Sequence, residues 1–340
     1  MLRYLTAGES HGGYLSGILE GFPAGVKVPR AYIAAQLKRR RFAPGRSARQ
    51  GRENDSFEII SGMKGEITTG APIGVLIRNV SREVPPPTSL PRPGHADLAG
   101  MLKYGTLDAA QIRERASARE TAVRTALFSF ATRFNELLGI RASSIVSLLG
   151  NTPGVTPETA SKELSSARAA GDTLGGAFQI KFENVPAGLG SCMHGDRRLS
   201  TRLGAALLAI NGVRSFEIGV PILLALNGGI AAAKDLEASG GIEGGMSNGR
   251  DITLNCLVRP VPGLPGGVLA TDLRTFRKKL SVSKTSDTTA VFAAAVVAEH
   301  AASFEIAAAL LEKFGGDSLA EIRPRVDEWR KRTGKILAKL

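Results

Sequence analysis

Residues 289–314 constrain the fold of this chain more than any other segment. The run is nearly all Ala, Val and Leu, and Gly315-Gly316 closes it. A helix that is apolar on every side has no solvent face, so other elements must cover it all round. Its longest unbroken apolar stretch, residues 290–298, stops at Glu299 and His300, short of the ~20 residues that a membrane span needs. The pattern predicts a soluble layered protein with this helix inside.

The surrounding elements are read from periodicity. Alternation of polar and apolar residues predicts strands over 14–19, 57–61, 73–78, 143–149, 178–183, 216–220 and 252–258. Helices are expected from Pro29 to about Arg41, over 108–138 with Asp108 as N-cap and Gly139 past its end, and over 200–210. A last amphipathic helix, interrupted by Pro324 and Gly334, is expected on the surface at the C-terminus, within 317–340. Strands and helices mix without strict βαβ alternation, so the fold class is α+β. No linker or repeat divides residues 1–340, which predicts a single domain. Aromatics are only 5% of the chain, so small aliphatic side chains and 40 Gly must do the packing.

The charge of +13 calls for an anionic partner. Nucleic acid is one class, but the tightest basic cluster, Lys38-Arg39-Arg40-Arg41 with Arg46 and Arg49, carries Gly45 and Ser47 rather than stacking aromatics. A small phosphorylated and carboxylated substrate needs the same charge. Cys192 and Cys256 are isolated, which fits a reducing compartment, no disulfide framework and no metal; both are expected as buried packing residues. The N-terminus lacks the pattern of a signal peptide, so a cytoplasmic location without membrane attachment is expected.

Four histidines narrow the search for chemistry. His11 sits in Gly8-Glu9-Ser10-His11-Gly12-Gly13, where small neighbours let a ligand approach the backbone. His95 sits in Pro91-Arg92-Pro93-Gly94-His95-Ala96-Asp97, where prolines fix the backbone beside an arginine. His194 and His300 have no such setting. Arg115 and Arg119 are four apart, which places them on one helical face with either an anionic ligand or a surface salt bridge to Glu114 or Glu120. Gly240 to Gly249 is too glycine-dense for a regular element and matches no phosphate-loop fingerprint; it reads as a cofactor wall or a surface loop. Asp287, just before the apolar helix, is either its N-cap or a partly desolvated base.

In this order, along nearly the whole chain, these segments resemble the chorismate synthase family. The resemblance is carried by Gly8-Glu9-Ser10-His11-Gly12, by Lys38 to Arg41 with Pro44-Gly45-Arg46-Ser47-Ala48-Arg49, and by Thr68-Thr69-Gly70-Ala71-Pro72-Ile73. It continues through Arg92 to Asp97, Glu114-Arg115-Ala116-Ser117-Ala118-Arg119-Glu120-Thr121, Asp172 to Gly176, Val185 to Gly190 and the Gly240 run. The resemblance implies a β-α-β sandwich with a helical layer between antiparallel sheets, assembled as a homotetramer. It implies a lyase that removes phosphate from 5-enolpyruvylshikimate 3-phosphate by 1,4-anti elimination, with reduced FMN required, NADPH a candidate reductant and no net redox change. By the same carry-over His11 acts as an acid near the departing phosphate, His95 protonates or stabilises the reduced flavin, and Asp287 helps remove the ring proton. Ser10, Arg40, Arg46, Arg49 and Arg119 bind substrate, while Arg115, Ala116, Ser117, Gly244, Arg259 and Gly263 line the flavin.

The departures from the family pattern fall near the cofactor. Thr285 stands where Arg is usual, with Lys284 beside it. Arg259-Pro260-Val261-Pro262-Gly263 stands where Lys-Pro-Ile-Pro-Thr is common. The stretch from Gly219 to Ser239 is shorter than usual and lacks a Gln-Ala-His-Asp-type segment. These departures motivate an alternative: a diverged paralogue that binds a phosphorylated enolpyruvyl ligand with weak or no FMN-dependent activity.

Overall fold

The structure is a computed structural model that describes residues 1–47, 53–220, 238–283 and 287–339. Arg49, Lys284, Thr285 and most of the short stretch between Gly219 and Ser239 lie outside the described residues.

The chain opens with β1 (Arg3–Gly8), β2 (Tyr14–Glu20), α1 (Arg30–Arg41), β3 (Phe57–Ser61), the small hairpin β4 (Met63–Lys64) and β5 (Ile67–Thr68), and β6 (Ile73–Arg78). Then come α2 (Asp97–Tyr104), α3 (Ala109–Ala116), α4 (Thr121–Leu137), β7 (Arg141–Leu149), β8 (Thr152–Pro153), α5 (Pro157–Ala169), β9 (Gly176–Glu183), α6 (Leu199–Leu208) and β10 (Val213–Ile218). The remainder is β11 (Ile242–Glu243), β12 (Met246–Ser247), β13 (Ile252–Val258), β14 (Val268–Thr271), β15 (Lys278–Ser281), α7 (Val291–Phe314) and α8 (Leu319–Leu337).

Two antiparallel sheets form the outer layers, one ordered β1-β2-β6-β3 and the other β10-β13-β9-β7-β8. Alternation decides which face is inside. Leu15 and Leu19 of β2 with Ile73, Val75 and Ile77 of β6 are buried on one sheet; Phe178, Ile180, Phe182, Ile252 and Leu254 are buried on the other. Between them α4 packs on β2 and β6, α7 packs on β7 and β9, and α4 and α7 pack on each other. Gly17 makes the first contact possible, because a Cβ there would fall 2.6 Å from Leu127 Cδ1 of α4. The fold is therefore α+β with the helices between antiparallel sheets, and the apolar α7 occupies the interior that its composition requires. By length and composition α7 is long enough to cross a membrane, yet 83% of its most apolar window is buried inside the protein.

Four expectations are corrected. The helix over 108–138 is two helices joined by a 3₁₀ turn at Ala118–Glu120, because Ser117 is extended (φ −68°, ψ 137°) and its hydroxyl accepts from Arg119 N. Arg115 and Arg119 consequently do not share a helical face. Cys192 is exposed, and only Cys256 is buried. Pro324 and Gly334 do not interrupt α8, because buried Ile322 and Val326 pin it across the proline. Periodicity also missed β1, α2 and α5.

Candidate active site

β1 ends at Gly8, and the turn after it is held by residues remote in sequence. Asn79, fully buried after β6, donates its amide to Glu9 O (3.0 Å) and Gly12 O (2.8 Å). Glu114, near the end of α3, accepts from the backbone N–H of Ser10 through its own carbonyl (3.0 Å) and from His11 N through Oε2 (2.7 Å). Its Oε1 lies 2.6 Å from His11 Nδ1. Ser10 and His11 are thus fixed on a rigid turn, Ser10 buried and His11 partly open.

The break after α3 sends Arg119 inward. Its guanidinium reaches Asn79 Oδ1 (2.9 Å), Glu53 Oε2 (3.3 Å) and Asp55 Oδ1. Arg40, in the last turn of α1, binds the other oxygen of Asp55 at 2.8 Å and Thr121 Oγ1 at 3.3 Å. Burial disfavours the charged form of Arg40 and, with repulsion from Arg46 and Arg119, lowers its pKa against the pull of Asp55. Burial alone would raise the Asp55 carboxyl, but the Arg40 and Arg119 guanidiniums outweigh it and hold it below the usual carboxylate range. The arginines expected to hold substrate are therefore already in contact with carboxylates. Arg40 Nε and Arg46 Nε nevertheless have no hydrogen-bond partner among the described residues, and a buried donor left unpaired costs about 1–3 kcal/mol until an acceptor arrives.

Arg46 carries the cluster to the start of α7. It binds Asp287 Oδ2 at 2.7 Å, and Ser47 N–H donates to Asp287 Oδ1 at 2.7 Å. Thr288 N donates to Gly45 O, which docks this loop onto the helix entry. Asp287 is not the N-cap of α7: the helix starts after Ala290, and Thr289 Oγ1 accepts from Val291 N. A cavity of about 410 Å³ opens here, lined by Arg46, Arg168, Asp172, Thr173 and Asp287 among others. A larger cavity of about 870 Å³ contains neither Asp287 nor the candidate histidines and arginines, and its Arg202 and Glu305 are paired with each other. The smaller one is the better candidate because Arg46 and Asp287 line it, with Arg168 and Asp172 beside them.

His95 stands on the neighbouring loop. Arg92 and Arg113 both grip the buried Asp97, which fixes the turn before α2. Gly94 (φ +72°) lets that loop meet Pro262 and Arg259, since a Cβ there would fall 2.8 Å from Pro262 Cβ. Burial, and then the charge of Arg92, push the His95 imidazole below its ordinary pKa, against the hydrogen bond to Pro93 O and the charge of Asp97. Thr173 Oγ1 donates to Val261 O, which joins this segment to the cavity wall. Ala116 O accepts from Asn211 Nδ2, and Gly212 O accepts from Arg259 N, which joins Ala116 and Ser117 to Arg259. Arg115 is exposed and donates to Thr6 O and Oγ1. Gly263 is buried on the same segment as Arg259.

The charge of this second cluster suits an anionic group: the Arg259 guanidinium makes no hydrogen bond to a described residue, and Gly94 packs beside its Nη1. Gly244 lies in the β11–β12 hairpin ahead of β13, whereas Arg259 follows the other end of that strand. Sequence reasoning also missed Glu53, Asp55, Asn79, Glu114 and Arg168. The signal available for Glu53 and Asp55 was their position directly after a strongly basic run, where buried cations need anions. Glu114 stood inside the segment already singled out.

A sequence profile of the family described as chorismate synthase matches residues 2–311. The chain is 38% identical to the chorismate synthase of Desulforudis audaxviator, with 95% of each covered. It is 39% identical to that of Chlorobium phaeovibrioides, covering 97% of this chain and 98% of the other. A solved structure described as a crystal structure of chorismate synthase superposes with a TM-score of 0.79 at 30% identity, over 97% of this chain and 98% of that one.

Proposed function

We propose, from the premise that this chain belongs to the chorismate synthase family, that it is a lyase that eliminates phosphate from 5-enolpyruvylshikimate 3-phosphate to give chorismate. In that reaction the carbon–oxygen bond to phosphate and one ring carbon–hydrogen bond break, a ring double bond forms, and phosphate and a proton leave. The observation that carries the reading is the arginine group Arg40, Arg119 and Arg46, tied to Asp55 and Asp287, in which Arg40 Nε and Arg46 Nε have no hydrogen-bond partner among the described residues. The relatives reported above all bear one name, and none of them favours the binding-only paralogue.

Arg40, Arg46 and Arg119, with Arg49, supply the charge and the forked donors that orient phosphate and carboxylates. Ser10 and His11 sit on the turn that Asn79 links to Arg119, and in this reading His11 Nε2 delivers a proton toward the departing phosphate. Asp287, held in place by Arg46 and Ser47 N–H, is the carboxylate that the ring proton leaves toward. Arg259, Ala116 and Ser117, with Arg115 and Gly263 at the edges, would hold reduced FMN, which would supply electron density for breaking the carbon–oxygen bond. His95 would present a ring N–H or a lone pair to it. NADPH as reductant, a homotetramer, a cytoplasmic location and one domain over residues 1–340 belong to the same proposal.

The test is an anaerobic assay with 5-enolpyruvylshikimate 3-phosphate and photochemically reduced FMN, following chorismate and phosphate together. Equal release of both supports the reading, and no product at saturating reduced flavin overturns it. His11→Ala is expected to slow turnover by ~10²–10⁴-fold while substrate still binds; unchanged turnover removes His11 from the acid role.

A further inference from the structure

We infer that Glu114 is a positioning residue that locks His11 in its Nδ1–H form and leaves Nε2 as the only ring atom that exchanges a proton with the ligand. The inference rests on the reading of His11 given above, and its argument is geometric. The Glu114 side chain is 7% exposed, and its two oxygens are spent on one residue: Oε2 accepts from His11 N at 2.7 Å and Oε1 lies 2.6 Å from His11 Nδ1. An ionised carboxylate only accepts hydrogen bonds. The ring nitrogen facing it must therefore carry hydrogen, in both the neutral and the protonated imidazole. No described residue is hydrogen-bonded to Nε2, so the proton that comes and goes is the one on that atom.

The frame around the pair removes the alternatives. Asn79 ties Glu9 O and Gly12 O on both sides of His11, and Ser10 N is tied to Glu114 O, so the turn cannot swing to present Nδ1 instead. Asn79 also accepts from Arg119 Nε, which connects this frame to the arginine pair. Carboxylate, imidazole and guanidinium are thus held in fixed relation. Geometry of this kind matters when a proton must arrive as a bond breaks.

Glu114→Gln separates positioning from mere structure. The backbone N–H of His11 is a fixed donor, so the amide must turn its single oxygen to it. Its NH₂ then meets Nδ1, and the ring is driven to the Nε2–H form. The expected result is a kcat about 10²-fold lower with KM within about threefold of the parent. In ¹⁵N-histidine NMR spectra, the His11 signals, assigned by their loss in His11→Asn, should change from Nδ1–H to Nε2–H. Glu114→Asp keeps the acceptor character and should restore the parental tautomer and part of kcat. A kcat for Glu114→Gln within twofold of the parent, or a His11 ring still Nδ1–H in that variant, overturns the inference. If the parent shows no turnover at all, the lyase reading fails, and the tautomer spectra of parent, Glu114→Gln and Glu114→Asp still decide the inference.

Discussion

Asp55 carries more of this site than any residue that the sequence pattern drew attention to. It adopts a left-handed backbone (φ +49°), is buried, and shares its two oxygens between Arg40 and Arg119. Its folded pKa lies below the unfolded value, so its contribution is present above about pH 4 and is lost as pH falls through the folded value. Replacing it leaves two buried cations with less compensation. Asp55→Asn is expected to destabilise the fold by about 3–5 kcal/mol, read from urea unfolding at pH 7. A loss below about 1 kcal/mol would mean that the guanidiniums find water or Glu53 instead. Glu53 is itself spoken for, by Val80 N, Ser81 N and Arg119. None of these pairings was legible in the sequence, because partners 15 to 66 positions apart meet only through the tertiary fold.

At the scale of elements, the two helices that matter most failed and succeeded for the same reason. α7 was legible because an all-apolar run leaves one option, burial on every side. The break between α3 and α4 was not, because apolar spacing continues across it while the break is set by contacts from elsewhere. Those contacts are the Ser117 hydroxyl on Arg119 N, Asn211 on Ala116 O, and the burial of Arg119 against Asp55. The break is also functional in consequence, since a continuous helix would turn Arg119 away from Arg40. α7 carries its own prediction through His300, fully buried with Nδ1 on Thr132 Oγ1 of α4 and no partner for Nε2 among the described residues. Burial lowers its pKa from 6.5 to about 4, with Glu299 opposing and Arg39 assisting. The unfolded chain therefore binds a proton first, so stability falls as pH drops from about 6.5 toward 4. The expected loss is about 3 kcal/mol. Comparing melts of the parent and His300→Gln over that window checks it: the variant should have the shallower slope, and parallel curves would refute the assignment.

For the whole molecule, part of the basic character is gathered at one place: Arg40, Arg46 and Arg119 are matched one for one by Asp55, Glu53 and Asp287, which keeps the site foldable without spending every donor. An anion that binds the native site raises stability by mass action, about 2.7 kcal/mol at about 100 times its Kd. Inorganic phosphate should raise the melting temperature above that in chloride of equal ionic strength, and Arg46→Gln should shrink the difference. An equal rise in both proteins would place phosphate elsewhere.

The sequence by itself determined the mixed α+β class, most of the long strands and the buried α7, because these depend on local periodicity, and its motifs of a few adjacent positions carried the family resemblance and, through it, the layer plan. It also pointed to His11, His95, Asp287 and the arginines. The tertiary structure alone decided their condition: which arginines are buried, which carboxylates face them, and that Asp287 pairs with Arg46 rather than capping α7. Those are properties of distance and dielectric between remote segments. A linear pattern holds residue types and their spacing, while the energy of a buried charge depends on what the fold brings within about 4 Å of it.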